Sequence, residues 1–145
     1  MSADERDVTR ANEAFYAAFR ARDVEAMESL WAQKSPVGCV HPGWAPLRGR
    51  DVVMRSWRAI FHGEPPNVSV SDVRVSFVGG VACVVCLEQL TDAEGQPGGV
   101  FVATNLYVQE ERAWRIVHHH SGPIAAVEED DDDEEATDAD GRLLN

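Results

Sequence analysis

The sequence has 145 residues and a formal net charge of -12, and ten of its 25 acidic residues lie between positions 128 and 140. In residues 1–127 the other 15 acids face 12 basic residues, so that part is nearly balanced. The length suits one domain. The acidic balance excludes nucleic acid and anionic membranes as expected partners. No apolar run reaches the ~18–20 residues of a membrane span, and residues 1–10 are too charged for a signal peptide, so we expect a cytoplasmic protein.

The acidic segment 128–145 is predicted to be a disordered tail outside the fold. Like charges repel one another, and the segment has little apolar surface to bury. A basic partner is the alternative explanation for this charge. The predicted folded domain is therefore 1–127.

Three cysteines, Cys39, Cys83 and Cys86, are predicted to be small core residues rather than a redox or metal motif. Cys83 and Cys86 have C-x-x-C spacing but lie in an apolar, β-branched run that is typical of a buried strand. Side chains three apart on a strand point to opposite faces, so these two sulfurs cannot share a metal.

The first half of the chain has helical periodicity. Apolar residues at spacings of three and four predict a helix over Asp7–Arg20. Asp23 is a candidate cap for a second helix over Val24–Ala32, and a third is predicted over Asp51–His62. Between them a short strand, Val37–His41, ends at a Pro-Gly turn.

The second half of the chain has the sequence pattern of β-strands. Runs rich in valine over 67–77, 81–90, 100–109 and 113–120 are separated by short turns, the clearest of which is Gly79-Gly80. Helices followed by strands joined through hairpins indicate an α+β fold with a mainly antiparallel sheet.

Three stretches resemble a known family: Cys39–Gly49, Ala103–Asn105 and Trp114–His120. They are similar to the SnoaL-like branch of the nuclear transport factor 2-like superfamily. The run from Trp114 to Pro123 is also similar to the end of the association domain of calcium/calmodulin-dependent protein kinase II. The resemblance implies a cone in which three N-terminal helices pack on a strongly curved sheet. It also implies a pocket at the cone mouth and an outer sheet face that often forms a dimer.

His41 and Trp44 flank the Pro-Gly turn where the short strand ends. A strand end of this kind is a natural pocket rim, and a histidine there can transfer protons near neutral pH. Trp44 can cover a ligand with an apolar face. The alternative is that His41 caps backbone groups and Trp44 plugs the cone.

His118-His119-His120 is the most conspicuous run in the sequence. On a strand, His118 and His120 share one face and His119 takes the other. Trp114 and Ile116 are on the face of His118 and His120, which favours that face as the interior. We therefore predict His118 and His120, with His41, as candidate acid–base residues.

The same three histidines are also a candidate zinc site. His118 and His120 lie ~6.5–7 Å apart along a strand, and His41 is the remaining obvious ligand. No carboxylate that would orient the imidazoles is evident, so we expect no metal and no other cofactor.

Four further positions bear on a pocket. Asn105 interrupts an apolar strand and, facing inward, can bind a substrate carbonyl or orient a histidine. Tyr107 shares its face, and Tyr16 lies just beyond the apolar stripe of the first helix; both are candidate ligand contacts. Glu88 is expected to be a strand-end residue in water, although a buried base is the alternative.

The leading functional hypothesis is a pocket for a small, largely apolar molecule in a homodimeric protein. Catalysis, if present, is expected to be cofactor-independent proton transfer of the isomerase, cyclase or hydratase type. A non-catalytic dimerisation or ligand-sensing module is the alternative, and a histidine metal site is the third hypothesis.

Overall fold

The computed structural model describes residues 1–125 as three helices packed on one sheet of six strands. The helices are α1 (Ala3–Ala21), α2 (Val24–Leu30) and α3 (Arg50–His62). The strands are β1 (Gly38–Val40), β2 (Leu47–Arg48), β3 (Asn67–Val78), β4 (Val81–Thr91), β5 (Pro97–Glu110) and β6 (Ala113–Pro123). This confirms the predicted α+β cone. The domain end at residue 127 and the acidic tail at 128–145 lie outside the described residues.

The first two helices begin where the sequence supplies side-chain caps. Ser2 accepts a hydrogen bond of 3.1 Å from the backbone N–H of Glu5 at the start of α1. Asp23 accepts one of 3.0 Å from the N–H of Ala26 at the start of α2, as predicted. Each cap satisfies a donor that the first helical turn leaves free. Between these helices Arg22 takes a left-handed conformation (φ 54°), which reverses the chain.

The sheet runs in the order β2-β1-β6-β5-β4-β3, with β1 parallel to β6 and every other pairing antiparallel. Hairpins connect β3 to β4, β4 to β5 and β5 to β6, so these four strands form an antiparallel meander. The earlier strand β1 then pairs with the last strand, β6. Interruptions of register in the β3–β4, β4–β5 and β5–β6 pairings bend the sheet around the helices. Aromatic and aliphatic side chains fill the space between the helices and the sheet, among them Phe15, Met27, Trp31, Trp57 and Ile116.

One of these interruptions reverses the predicted faces of β6. Leu106 pairs with His118, but the next residue, Tyr107, pairs with Ile116, so Val117 is an extra residue. A bulge of this kind moves every later side chain to the opposite face. Ile116 and His119 are therefore both buried, while His118 is half-buried and His120 is exposed. The prediction that His118 and His120 face the interior is wrong.

Two of the three cysteines are core residues as predicted, since Cys39 and Cys86 are buried. Cys83 is half-buried and lies on the other face of β4. All three thiols are free. Over residues 1–125, no helix has both the length and the apolar character needed to cross a membrane.

Candidate functional site

Five buried polar side chains from four elements form one hydrogen-bonded cluster inside the cone, which we call the inner network. Each is at most 5% exposed, although apolar residues surround them. A buried polar group costs free energy unless it is hydrogen-bonded, so this cluster requires a complete set of partners. Its members are Asn12 and Tyr16 on α1, Glu88 on β4, Asn105 on β5 and His119 on β6. Tyr107 and Ser121 attach to its ends.

Asn105 lies at the centre of the inner network, and its amide group determines which neighbouring groups donate and which accept. Its Nδ2 donates to Asn12 Oδ1 (3.0 Å) and to Tyr16 Oη (3.1 Å). Its Oδ1 lies 2.6 Å from Nδ1 of His119, so that ring nitrogen must donate the proton. Asn105 therefore faces inward and orients a histidine, but that histidine is His119 rather than one of the three predicted, His41, His118 and His120.

Glu88 is the terminal acceptor of the inner network. Tyr16 Oη donates to Glu88 Oε2 (2.6 Å), and Ser121 Oγ donates to Oε1 (2.5 Å). Glu88 is 5% exposed, which contradicts the expectation of a strand-end residue in water. Burial raises the pKa of Glu88 and outweighs the opposing effect of the two hydroxyl donors. The pKa of Tyr16 is raised as well, chiefly by burial and then by the charge of Glu88.

Tyr107 anchors the other end of the inner network. Its hydroxyl donates to Asn12 Oδ1 (2.8 Å), so this oxygen accepts from both Tyr107 and Asn105. The Tyr107 side chain is 1% exposed, and burial holds its pKa well above the usual range. Tyr107 thus positions Asn12 and has little surface left for a ligand.

His119 and His41 are buried side by side, with ring centroids 6.3 Å apart. Burial lowers the pKa of His41 to about 4. Burial also lowers the pKa of His119 to about 3, with a further contribution from the neighbouring His41. Both rings are therefore neutral near pH 7, and they pack against Trp57.

His41 is held by α3. Its Nε2 lies 2.8 Å from Ser56 Oγ, and that hydroxyl donates its own proton to the carbonyl of Val53 (2.6 Å). Nε2 of His41 is therefore the donor to Ser56. Trp44 stacks edge-on against His41 with centroids 4.9 Å apart, yet it is 45% exposed. Trp44 covers the ring without plugging the cone.

His118 and His120 lie outside the inner network. They line the opposite face of the sheet, with ring centroids 6.2 Å apart. His41 is inside the cone, so the three histidines of the predicted zinc site are not brought together. Within residues 1–125, no group of three or more His, Cys, Asp or Glu side chains is arranged to hold a metal ion.

A cavity of about 250 Å³ opens between α1 and β3. We call it the mouth cavity. Asn12 and Tyr16 line it, so the inner network borders it directly. Val70 and Val73 of β3 supply an apolar wall, and the rest of the lining is Thr9, Glu13 and Arg20. The mouth cavity is thus the place where buried polar groups adjoin open space.

Sequence reasoning missed His119, Asn12, Ser121 and Ser56, and misplaced Glu88. The burial of Glu88 was predictable, because every second residue of β4 before it is buried: Ala82, Val84 and Cys86. Asn12 similarly follows the buried Val8 by four residues on α1. His119 had no such signal, because its face depends on the bulge at Val117.

The family model of the SnoaL-like domain matches residues 8–126 of this chain. The chain belongs to the SnoaL-like domain family. One relative, the F-box protein SKIP8 of Arabidopsis thaliana, is 30% identical over 114 residues. That match covers 78% of this chain and 48% of SKIP8, so the chain spans about half the length of that relative.

Solved structures of this SnoaL-like chain's relatives share its fold. A candidate dehydratase of the nuclear transport factor 2-like family from Streptomyces avermitilis is 36% identical, with a TM-score of 0.77, over 85% of this chain and 97% of that one. A candidate calcium/calmodulin-dependent protein kinase type II association domain from Thiobacillus denitrificans is also 36% identical. Its TM-score is 0.71, over 79% of this chain and 93% of that one.

Proposed function

We propose that this SnoaL-like protein binds a small, largely apolar molecule in the mouth cavity. The observation that carries the proposal is that Asn12 and Tyr16 both line the cavity and belong to the inner network. Groups fixed by partners on two strands, β4 and β5, are held in place before a ligand arrives, which reduces the entropy lost on binding. Because cavities of ~150 Å³ accommodate benzene, a volume of about 250 Å³ suits a substituted ring.

The lining indicates the kind of molecule. Val70 and Val73 favour an apolar body, whereas Asn12 and Tyr16 favour a single oxygen-bearing end. The molecule proposed is therefore a small ring with one carbonyl or hydroxyl group.

The proposed chemistry is proton transfer through Tyr16 and Glu88. Tyr16 borders the mouth cavity, and its proton is already directed at Glu88 Oε2 over 2.6 Å. A C–H bond beside the ligand's carbonyl breaks, its proton moves to Tyr16 Oη and the phenolic proton moves to Glu88. Glu88 thus gains one proton, and the electron pair stays on the ligand as an enolate. Burial moves the pKa of Glu88 upward, toward neutral pH, which suits a general base. One relative of known structure is named as a candidate dehydratase, which is consistent with this reaction class.

Two valines provide a matched test of the binding site. Val73 (39% exposed) lines the mouth cavity, and Val85 (38% exposed) lies on the outer face of β4. Acetophenone, a single ring with one carbonyl group, serves as the probe. Val73→Phe should weaken its binding by about tenfold or more in calorimetry, equivalent to ~1.4 kcal/mol, because the phenylalanine side chain fills the cavity. Val85→Phe should leave the affinity unchanged. Equal effects of the two variants would exclude the mouth cavity as the site.

Hydrogen–deuterium exchange tests the chemistry separately. The protein should accelerate exchange of the methyl protons of acetophenone in D₂O, followed by NMR. Glu88→Gln should abolish the acceleration without abolishing binding, because Gln cannot take up the proton. Acceleration that survives in Glu88→Gln would contradict the role of Glu88 while leaving the binding proposal intact.

A second candidate function is homodimeric association through the outer sheet face. Val85 and Val102 are 38% and 36% exposed there, and Leu87 and Val100 lie half-buried beside them. A similar protein is named as an association domain. We expect a dimer mass in light scattering that becomes a monomer mass when Val102→Asp places a charge in this patch. A monomer of 15.9 kDa for the unaltered protein would contradict it.

A further inference from the structure

The outer face of the sheet carries a second, larger groove. It measures about 640 Å³, within the usual range of ligand sites, and lies across β2, β1, β6 and the end of β5. We call it the outer groove. Most of its wall is apolar: Pro36, Val37, Val40, Pro46, Leu47, Leu106 and Val117. The mouth cavity lies on the opposite side of the sheet.

Every ionisable side chain in the outer groove is basic. They are Arg48, His118 and His120, and no carboxylate is among its described lining residues. This composition contrasts with the chain as a whole, whose net charge is -12. A local cluster of cationic and N–H donor groups beside apolar walls favours an anion attached to an apolar body over a cation.

The strand register places these groups in one row. Gly38 of β1 pairs with Arg48 of β2 on one side and with His118 of β6 on the other. Because neighbouring strands lie ~4.8 Å apart, Arg48 and His118 are separated by about two strand spacings with only a glycine between them. A Cβ atom at position 38 would approach Nδ1 of His118 to 3.1 Å, so glycine at this position leaves room for the His118 ring. The His118 ring therefore lies close over Gly38, and both Arg48 and His118 line the outer groove.

We propose that the outer groove binds a small carboxylate with an aliphatic tail. The carboxylate lies in the groove between the Arg48 guanidinium and the His118 imidazole, and the tail packs along Leu47, Leu106 and Val117. Arginine matches a carboxylate with two parallel N–H donors, whereas the histidine adds a single donor. Charge complementarity thus selects the acid over neutral molecules of the same shape. The site is independent of the mouth cavity and of any catalysis there.

Octanoate and octanol are matched probes, since they share the tail and differ in the head group. We expect octanoate to bind the full-length protein about tenfold or more tightly than octanol, because a charge-assisted hydrogen bond replaces a neutral one. In NMR spectra the ring protons of His118 and His120 should shift on addition of octanoate. Arg48→Gln should remove the preference for octanoate, and Arg48→Lys should retain part of it. Arg55→Gln, which removes the same charge from exposed α3, should leave the preference unchanged.

Several results would overturn this proposal. Equal affinity for octanoate and octanol would show that the basic groups are not used, and equal losses in Arg48→Gln and Arg55→Gln would reduce the effect to overall charge. Shifts confined to Asn12 and Tyr16 would place octanoate in the mouth cavity. A stable dimer that fails to bind octanoate would assign the outer groove to a second copy of the chain.

Discussion

Tyr16 and Glu88 are 72 residues apart in the sequence, yet the tyrosine hydroxyl donates a hydrogen bond of 2.6 Å to the carboxylate. The bond joins α1 to β4 across the interior of the cone. It makes Glu88 the acceptor at the end of a directed series of donors that begins at His119 and passes through Asn105. The inner network therefore links helix to sheet and presents one of its members, Tyr16, to the mouth cavity.

Glu88→Leu should be strongly destabilising. The substitution leaves the buried hydroxyls of Tyr16 and Ser121 without their acceptor, and each lost partner costs about 1–3 kcal/mol. We expect the free energy of unfolding to fall by about 2–4 kcal/mol in urea titrations. Glu13→Leu, an exposed change on α1, should stay within about 0.5 kcal/mol of the unaltered protein. Equal stability of the two variants would contradict a structural role for the Glu88 carboxylate.

Acid should destabilise the protein through its two buried histidines. Their folded pKa values of about 4 (His41) and about 3 (His119) lie below the ordinary 6.5, so the unfolded state binds more protons between pH 6.5 and about 4. The free energy of unfolding then falls as the pH falls, by up to about 1.4 kcal/mol per pH unit for each histidine. Glu88 acts in the opposite direction, because its raised pKa favours the protonated folded state.

The comparison of variants isolates the histidine contribution. His119→Asn should lower the slope of unfolding free energy against pH by about 1 kcal/mol per unit between pH 5 and 6.5, since one of the two titrating groups is gone. Urea titrations at several pH values give this slope directly. An unchanged slope in His119→Asn would mean that His119 is not buried neutral.

Glu110 should protect the segment that follows α2. Its carboxylate accepts from the backbone N–H groups of Gln33 (2.9 Å) and Lys34 (3.0 Å) and from the Ser35 hydroxyl (2.9 Å). These donors lower the pKa of Glu110 even though burial opposes them. We expect Glu110→Gln to accelerate amide hydrogen exchange at Gln33 and Lys34, since an amide offers one acceptor oxygen instead of two.

The neighbouring Glu111 provides the control for that measurement. It contacts only the Lys34 ammonium among the side chains of this segment, with 2.7 Å between Nζ and Oε1. Glu111→Gln should leave both amides protected. Equal acceleration in the two variants would mean that loss of charge alone, rather than the bonds to the backbone, opens the segment.

Much of the fold was predictable because it depends on local patterns. The apolar spacing of α1 and α3, the Asp23 cap and the valine-rich hairpins each specify their element from neighbouring residues. Strand faces were predictable only while the pairing was regular. In β4 the alternation through Val84 and Cys86 continues to Glu88 and indicates its burial.

The candidate site was less predictable because it depends on long-range register. The bulge at Val117 exchanges the faces of the three histidines, and it arises from the pairing of β5 with β6 rather than from the local sequence. The partners of Asn105 lie 93 and 89 residues away on α1. No spacing rule connects such positions, so the composition of the inner network required the three-dimensional structure.

NMR titration with acetophenone tests the central claim most directly, because the side-chain amide groups of Asn12 and Asn105 give signals of their own. If the ligand binds in the mouth cavity, these signals and those of Tyr16 should shift in the unaltered protein and in Val85→Phe, but not in Val73→Phe. Saturating shifts at Asn12 would locate the ligand beside the inner network. Saturating shifts that leave Asn12 and Tyr16 unaffected, or that persist in Val73→Phe, would contradict a ligand site in the mouth cavity.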